Sequence, residues 1–190
     1  MRHLWPASRN DQPFLTIKGH LTTYFMRAQP PTVEQARQLT CYWQQTIPSD
    51  YLDRMGHMNI QYYFRVIDEG ASRMFESFGM DETYIATHQN GAFALESHIH
   101  YLAEIHQGDQ ISVHIRVVGQ SAKRIHFAGY VVNDTHNRLA AMYENVGTHA
   151  DLVARCSSPF PSELAAKIKQ KFDQDSQLVW QSSLTNVIRA

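Results

Sequence analysis

The segment from Asp53 to Phe78 constrains the fold of this chain more than any other. Gly79 follows its last predicted turn and is expected to end a helix there. The polar run Asp53–Asn59 precedes the helix, so it lies where free backbone N–H groups and the helix dipole favour negative charge. Apolar residues at spacings of three and four predict that this long helix is buried along one face: Ile60, Tyr63, Phe64, Ile67, Ala71, Met74, Phe75 and Phe78.

The sequence on either side of this helix predicts an antiparallel sheet. One strand is expected at 40–47, and a helical turn at 81–88 follows the long helix. The spacing of the apolar residues then changes to a period of two, which predicts strands at 92–102, 110–118, 123–133 and 138–149. Short turns between them, such as Gln107–Asp109, are expected to make consecutive strands antiparallel. The predicted outer face is partly apolar, and we expect a second subunit to cover it: Val118, Tyr130, Val132 and Met142.

This order of elements predicts an α+β domain at residues 40–160, flanked by two further segments. Prolines at positions 6, 13, 30 and 31 interrupt the first 39 residues, so we expect an N-terminal extension in which only 32–39 is helical. A C-terminal helix is predicted at 162–172, within a segment that spans 161–190. Its polar tail after residue 173 is expected to be loosely held.

Charge and cysteine usage narrow the class of protein. Seventeen basic and eighteen acidic residues give a net charge of −1, so attraction to nucleic acid or to an anionic membrane is not indicated. No apolar run approaches the roughly 18–20 residues of a spanning helix. Cys41 and Cys156 lack metal-type spacing, which favours a cytoplasmic location. The pair His98-x-His100, with His57 and His106, has no further ligand at a diagnostic spacing, so we expect no metal.

The same motifs, in the same order, resemble the hotdog-fold thioesterases, and in particular the 4-hydroxybenzoyl-CoA thioesterase-like group. That group's DxxGHxN signature matches Asp53, Gly56, His57 and Asn59, and aromatic residues follow at Tyr62-Tyr63. The resemblance covers about residues 40–160 and is greatest to the betainyl-CoA thioesterase members, although those carry Tyr-Asn where this chain has Arg54-Met55. Further matches are Glu96–Tyr101, Glu104, Gly108-Asp109 and Lys123-Arg124.

The resemblance implies a fold, a substrate and an assembly. The fold would be an antiparallel sheet of about five strands wrapped around a long central helix. The substrate would be an acyl-CoA, with coenzyme A as part of the substrate and no separate cofactor. The protein would form a homodimer or a dimer of dimers, with its active site between two subunits.

Thioester hydrolysis requires a nucleophile, or a base for water, together with donors to the developing oxyanion. Asp53 would supply the first, and backbone N–H groups around Gly56 to Met58, at the positive end of the helix, the second. Glycine at position 56 would let a carbonyl approach the backbone closely. An ordinary aspartate has a pKa of about 4 and is a weak base at neutral pH. Asp53 would therefore either attack the thioester carbonyl directly or position a water molecule. The alternative interpretation is that Asp53 is a turn or helix-capping residue without a catalytic role.

The other matched residues each have two interpretations. His57 either takes part in catalysis or stabilises the turn, and Asn59 either holds Asp53 or the water, or caps the helix. Glu96 either reaches the substrate from the facing subunit or pairs with a basic residue at the interface. Lys123 and Arg124 either bind the phosphates of coenzyme A or belong to a solvated turn. Asp68-Glu69 are interpreted as part of the solvated helix face.

The sequence therefore predicts an acyl-CoA thioesterase for a small acyl group of aromatic, short-chain or betainyl type. Two alternatives remain open. One is a hotdog hydratase or dehydratase of enoyl thioesters, with His57 as the base. The other is a non-catalytic module that binds acyl-CoA or an acyl carrier.

Overall fold

The computed structural model describes residues 30–182 and residue 190. Residues 1–29 of the predicted extension and residues 183–189 of the predicted tail lie outside the described part. The helices are α1 (Val33–Ala36), α2 (Ile60–Phe78), α3 (Glu82–His88) and α4 (Ser162–Ser176), with a 3₁₀ turn at Ser49–Tyr51. The strands are β1 (Thr40–Thr46), β2 (Asn90–Tyr101), β3 (Gln110–Gln120), β4 (Arg124–Asn133), β5 (Arg138–Asp151) and β6 (Cys156–Ser157).

Helix α2 forms where the spacing of apolar residues predicts it. The Asn59 side-chain oxygen accepts a hydrogen bond from Gln61 N at 3.1 Å and so caps the start of the helix. Gly79 ends it in the left-handed conformation, with φ of 102°. Ile60 and Phe64 were predicted on the buried face, yet 66% and 45% of their surfaces are exposed.

The sheet wraps around α2 with its apolar face inward, which confirms the predicted hotdog arrangement. Its strand order is β1-β3-β4-β5-β2, all pairs are antiparallel, and β6 adds a short pairing to β5. Helix α2 approaches β3 most closely at Gly70, where a Cβ atom would lie 2.7 Å from Val113 Cγ1. The predicted inner residues of β3 and β4 are buried against α2 in one core: Ile111, Val113, Ile115, Val117, Ile125, Phe127 and Val131.

Strands β2 and β3 run in opposite directions as predicted, but the turn at Gln107–Asp109 does not join two neighbouring strands. Strand β2 pairs with β5 at the far edge of the sheet, and residues 102–109 cross the end of the sheet to reach β3 at the other side. Backbone hydrogen bonds from Leu102 and Ala103 to Ala140 O hold this crossing, so a short loop here does not form a hairpin. A bulge between Ala94 and Glu96 also shifts the alternation of β2.

The outer face of the sheet is covered by this chain's own segments, which corrects the expectation of a second subunit there. Apolar residues of α1 and of the segment after α4 form a second core against β4 and β5, so these strand positions need no partner chain. Trp180 is 8% exposed, its ring lies 6.0 Å from that of Tyr130, and its carbonyl accepts a hydrogen bond from Arg116 Nη1 at 2.8 Å. The expectation of a loosely held tail is therefore wrong up to this residue. This second core comprises Val33, Ala36, Leu39, Ala128, Tyr130, Val132, Met142 and Trp180.

Helix α4 protects the open edge of β3. Leu164 and Ile168 of α4 pack into the core beside α2. Strand β1 pairs with β3 only as far as Ile115, and beyond that residue the backbone N–H of Val117 donates to Asp175 Oδ2 at 2.8 Å. None of the described helices combines the length and the apolar character of a membrane-spanning segment.

Candidate functional site

The polar loop before α2 is a tight turn that opens to the surface. Asp53 N donates to His57 O at 3.0 Å, and Gly56 N donates to Asp53 O at 3.1 Å. Gly56 has φ of +85°, a conformation that favours glycine, and no atom lies within 4 Å of where a Cβ would be. The space above Gly56 is therefore open to an approaching group.

Neighbouring elements fix the position of this loop. Met58 is buried, and its N–H donates to Ile105 O at 2.7 Å in the segment that crosses the end of the sheet. Asn59 N donates to Tyr51 O at 2.9 Å. The rings of Tyr51 and Tyr62 stack with their centroids 3.9 Å apart, which joins the 3₁₀ turn to the first turn of α2. The turn is thus held in one place relative to the helix N-terminus.

One oxygen of the Asp53 carboxylate accepts a hydrogen bond within the loop, whereas the other has only a longer contact. Oδ1 accepts a hydrogen bond from Met55 N at 2.7 Å. Oδ2 lies 3.5 Å from His57 Nδ1, which is too long for a strong hydrogen bond. The Asp53 and His57 side chains are 18% and 26% exposed, so both can meet a ligand from the surface.

The backbone N–H groups at this position are not equally available. Those of Gly56 and Met58 already donate within the protein. Within residues 30–182, the N–H groups of His57 and Ile60 donate no hydrogen bond. These two groups, at the positive end of α2, are the ones that an anion could use.

The remaining predicted residues lie away from Asp53 in the same chain. Lys123 is exposed in the turn between β3 and β4, and Arg124 is the exposed first residue of β4. Lys123 Nζ donates to Ser157 Oγ at 2.9 Å. The Asp53 loop lies at the opposite end of the sheet, beside Ile105. The 11 residues of β3 separate these two ends by roughly 35 Å. The structure therefore does not bring the basic pair and Asp53 together within one chain.

Glu96 and Asp68 lie on different sides of the sheet. Glu96 lies on the side of β2 that faces away from α2, and one of its carboxylate oxygens is 3.1 Å from His98 Nε2. Asp68 is exposed as predicted, yet it also lines a groove between α2, α3, β2 and β5 with a volume of about 960 Å³. Sequence reasoning missed this groove.

The floor of the groove is a hydrogen-bonded polar group on the inner face of the sheet. The hydroxyls of Ser97 and Tyr143 are 2.8 Å apart, and Asn145 Nδ2 donates to Ser97 Oγ at 2.7 Å. Burial raises the pKa of Tyr143; its hydrogen bonds with Ser97 and Asn145 oppose that rise, and the carboxylate of Asp68 adds to it. The alternation of β5 was the signal that could have placed Tyr143 and Asn145 on the inner face. No group of three or more His, Cys, Asp or Glu side chains suited to a metal ion occurs in the described part of the chain.

Comparison with known sequences connects this chain to one family. The model of the thioesterase-like superfamily matches residues 47–168. A betainyl-CoA thioesterase of Pseudomonas aeruginosa is 24% identical over 131 residues, which are 69% of this chain and 82% of that protein. An L-carnitine dehydrogenase/betainyl-CoA thioesterase of Rhizobium meliloti is 26% identical over 119 residues. That match spans 63% of this chain and 24% of the longer relative.

Solved structures share the fold. A hypothetical protein of Staphylococcus aureus in complex with CoA has a TM-score of 0.72 at 22% identity, over 80% of this chain and 96% of that chain. A 1,4-dihydroxy-2-naphthoyl-CoA thioesterase of Synechocystis has a TM-score of 0.61 at 16% identity, over 68% of this chain and 96% of that chain.

Proposed function

The chain belongs to the thioesterase-like superfamily and is a thioester hydrolase, and from this premise we propose that its substrate is a small acyl-CoA. The acyl group is of aromatic, short-chain or betainyl type, and coenzyme A is part of the substrate, so no cofactor is needed. The observation that carries this proposal is the loop before α2. There the partly exposed carboxylate of Asp53 is followed by the N–H groups of His57 and Ile60, which donate no hydrogen bond in the described part of the chain. The exposed, unpaired thiols of Cys41 and Cys156 support a cytoplasmic location.

In the proposed reaction Asp53 acts through Oδ2, since Oδ1 is held by Met55 N. The carboxylate either attacks the thioester carbonyl carbon or takes a proton from a water that attacks it. Both routes pass through a tetrahedral oxyanion, which collapses as the C–S bond breaks and coenzyme A leaves as a thiolate that takes up a proton. Direct attack leaves a mixed anhydride on Asp53, which a water molecule hydrolyses to the free acid and the regenerated carboxylate. Attack by water gives the acid at once, and the proton held by Asp53 passes to the thiolate. The N–H groups of His57 and Ile60 stabilise the oxyanion, because they make no hydrogen bond within the described residues and lie at the positive end of α2.

The proposed assembly is a homodimer in which two β2 strands pair. Strand β2 is an edge strand of 12 residues, and the exposed apolar side chains of Phe93 and Leu95 lie on it. A long exposed edge of this kind is a template for pairing with another chain. A two-fold axis would make the contact isologous and the two strands antiparallel. Glu96, near the middle of β2, would then lie close to the two-fold axis, on the face of the joined sheet that points away from α2. We propose that it pairs with a basic residue at the interface or contributes to the substrate site from there.

This assembly accounts for the separation of Asp53 from the basic pair. The start of β2 lies at the Lys123–Arg124 end of the sheet, and its last residues lie at the Asp53 end. Antiparallel pairing of two β2 strands therefore places the basic turn of one subunit beside the Asp53 loop of the other. In each site, Lys123 and Arg124 of one subunit bind the phosphates of coenzyme A while Asp53 of the other acts on the thioester.

Mixing two inactive variants is expected to restore activity. Asp53→Asn removes the catalytic group, and the double variant Lys123→Ala/Arg124→Ala removes the phosphate contacts. A hybrid dimer contains one site with Asp53, Lys123 and Arg124 all intact, so unfolding and refolding the two variants together should recover about a quarter of wild-type activity. Each variant refolded alone is the control. A mixture no more active than the sum of its parts would show that the residues do not act across an interface.

Thiol release from a panel of acyl-CoAs tests the function itself. We expect the wild-type protein to release coenzyme A from at least one aromatic, short-chain or betainyl thioester, detected with a thiol reagent. Loss of enoyl absorbance without thiol release would instead indicate a hydratase. Saturable binding of coenzyme A, with every thioester left intact, would indicate a non-catalytic module.

A further inference from the structure

The segment that crosses the end of the sheet, residues 102–109, contacts both parts of the proposed active site. Met58 N, in the loop before α2, donates to Ile105 O at 2.7 Å. The hydroxyl of Tyr63, in the first turn of α2, donates to Ala103 O at 3.1 Å. The two acceptors lie two positions apart on this crossing segment. One stretch of backbone therefore fixes the loop and the start of α2 relative to each other.

The crossing segment is itself bound to the sheet. Arg138 Nη2, at the start of β5, donates to Glu104 O at 2.8 Å. The buried carboxylate of Asp109 accepts hydrogen bonds from His106 N at 2.9 Å and from Asn133 Nδ2, at the end of β4, at 2.7 Å. A shift of the segment would therefore break hydrogen bonds to β4 and to β5 at the same time.

The Tyr63 side chain is suited to a fixed link. It is 4% exposed, and its ring packs edge-to-face with that of Tyr101 at 5.1 Å between centroids. Burial raises the pKa of Tyr63 to about 12, and the nearby carboxylate of Glu104 adds to the rise. The hydroxyl therefore keeps its proton at neutral pH and remains a donor to the crossing segment.

The proposed reaction depends on the distance between the loop and the helix. Of the two N–H groups that would stabilise the oxyanion, that of His57 belongs to the loop and that of Ile60 to the first residue of α2. Such donors act when both lie about 2.7–3.1 Å from the oxyanion. A misplacement of about 1 Å can lower a rate about a hundredfold. A change in the distance between loop and helix would therefore affect the transition state more than the binding of substrate.

We propose that Tyr63 is a positioning residue for thioester hydrolysis. Its hydroxyl acts through Ala103 O and the crossing segment, which hold the start of α2 at a fixed distance from the loop. At that distance the N–H groups of His57 and Ile60 stabilise one oxyanion together. The inference rests on the proposed function and deepens it by adding a residue that acts without contacting the substrate.

Tyr63→Phe tests this role, because it removes only the hydroxyl and keeps the ring that fills the core. We expect kcat for the best thioester of the acyl-CoA panel to fall about tenfold, whereas KM should stay within about twofold of the wild-type value. The substrate contacts are unchanged in this variant, and only the alignment of the oxyanion donors is lost. Steady-state thiol release measures both constants.

Tyr84→Phe is the control for the loss of a phenol hydrogen bond elsewhere in the protein. The Tyr84 hydroxyl lies 2.9 Å from His149 Nε2, at the Lys123–Arg124 end of the sheet. This variant should keep the wild-type kcat, although its urea midpoint should fall by an amount similar to that of Tyr63→Phe. An equal loss of kcat in both variants would show that kcat follows general stability, which would overturn the inference.

Amide hydrogen exchange provides a measurement that needs no turnover. In Tyr63→Phe, the N–H of Met58 should exchange about tenfold faster relative to the amides of β3, because its acceptor Ile105 O lies on a segment that has lost one anchor. In Tyr84→Phe this ratio should remain that of the wild type. An unchanged ratio in Tyr63→Phe would contradict the proposed link.

The kinetic outcomes separate this inference from the proposed function. If Tyr63→Phe keeps the wild-type kcat while Asp53→Asn loses it, the function stands and the inference fails. If Tyr63→Phe raises KM and leaves kcat unchanged, Tyr63 acts in substrate binding, and the inference is likewise overturned. If the wild type hydrolyses no thioester, the proposed function fails, and the exchange of the Met58 N–H still tests whether Tyr63 fixes the loop.

Discussion

Replacing Asp53 by asparagine is expected to lower kcat for thioester hydrolysis about 10³-fold, the middle of the range for a general base. The asparagine oxygen can still accept the hydrogen bond from Met55 N, so the turn should keep its shape. What is lost is the negative charge at Oδ2, which both proposed routes require. The measurement is steady-state thiol release with the best substrate of the panel, together with the Kd for coenzyme A, which should stay within about twofold of wild type because the phosphate contacts lie elsewhere.

Asp50→Asn is the matched control for this substitution. Asp50 is an exposed residue of the 3₁₀ turn, three positions before Asp53, so the same charge is removed close by. Its kcat should remain near that of the wild type. If Asp53→Asn also retains wild-type kcat, Asp53 is a structural residue of the turn, and the helix carboxylates Asp68 and Glu69 become the next candidates.

The elements that depend on local spacing were predictable from the sequence. Helix α2 ends at Gly79 and is capped by Asn59 because backbone geometry at these positions depends on a few adjacent residues. The residues on the inner faces of β3 and β4 were predictable because apolar residues recur at every second position in these strands. The turn within the DxxGHxN loop is predictable for the same reason, since the hydrogen bonds that close it join Asp53 to Gly56 and His57. The position of the loop also depends on the distant contact from Met58 N to Ile105 O.

Features that depend on contacts distant in sequence were not predictable in this way. The alternation of apolar residues in β2 does not indicate that this strand pairs with β5 at the edge of the sheet. Which strand lies at an edge depends on the pairing of all the strands. The apolar outer face correctly indicated a covering layer, but spacing could not show that Trp180 of the same chain supplies it. The groove combines Asp68 with Tyr143 and Asn145, which are more than 70 positions away, so no motif contains it.

Replacing Asp175 by alanine is expected to lower the free energy of unfolding by about 3 kcal/mol, as expected when one partner of a buried ion pair is removed. Asp175 and Lys171 are 3% and 8% exposed, and their charged atoms are 2.7 Å apart. The carboxylate also accepts the hydrogen bond from Val117 N, where β3 is no longer paired with β1. The variant would leave a buried ammonium and a buried N–H without partners, which costs more than the pair itself contributes.

The same helix contains a control with the same residue types and the same spacing. Lys169 and Asp173 form an ion pair of 2.6 Å, but their side chains are 62% and 53% exposed. Asp173→Ala should therefore cost about 0.5 kcal/mol or less. Urea unfolding of both variants at one protein concentration measures the difference, with unchanged m-values as the check on comparable unfolded states. If Asp173→Ala and Asp175→Ala are equally stable, α4 does not protect the edge of β3. If instead Lys171→Met/Asp175→Leu recovers most of the lost stability, the unpaired buried charge was the cause.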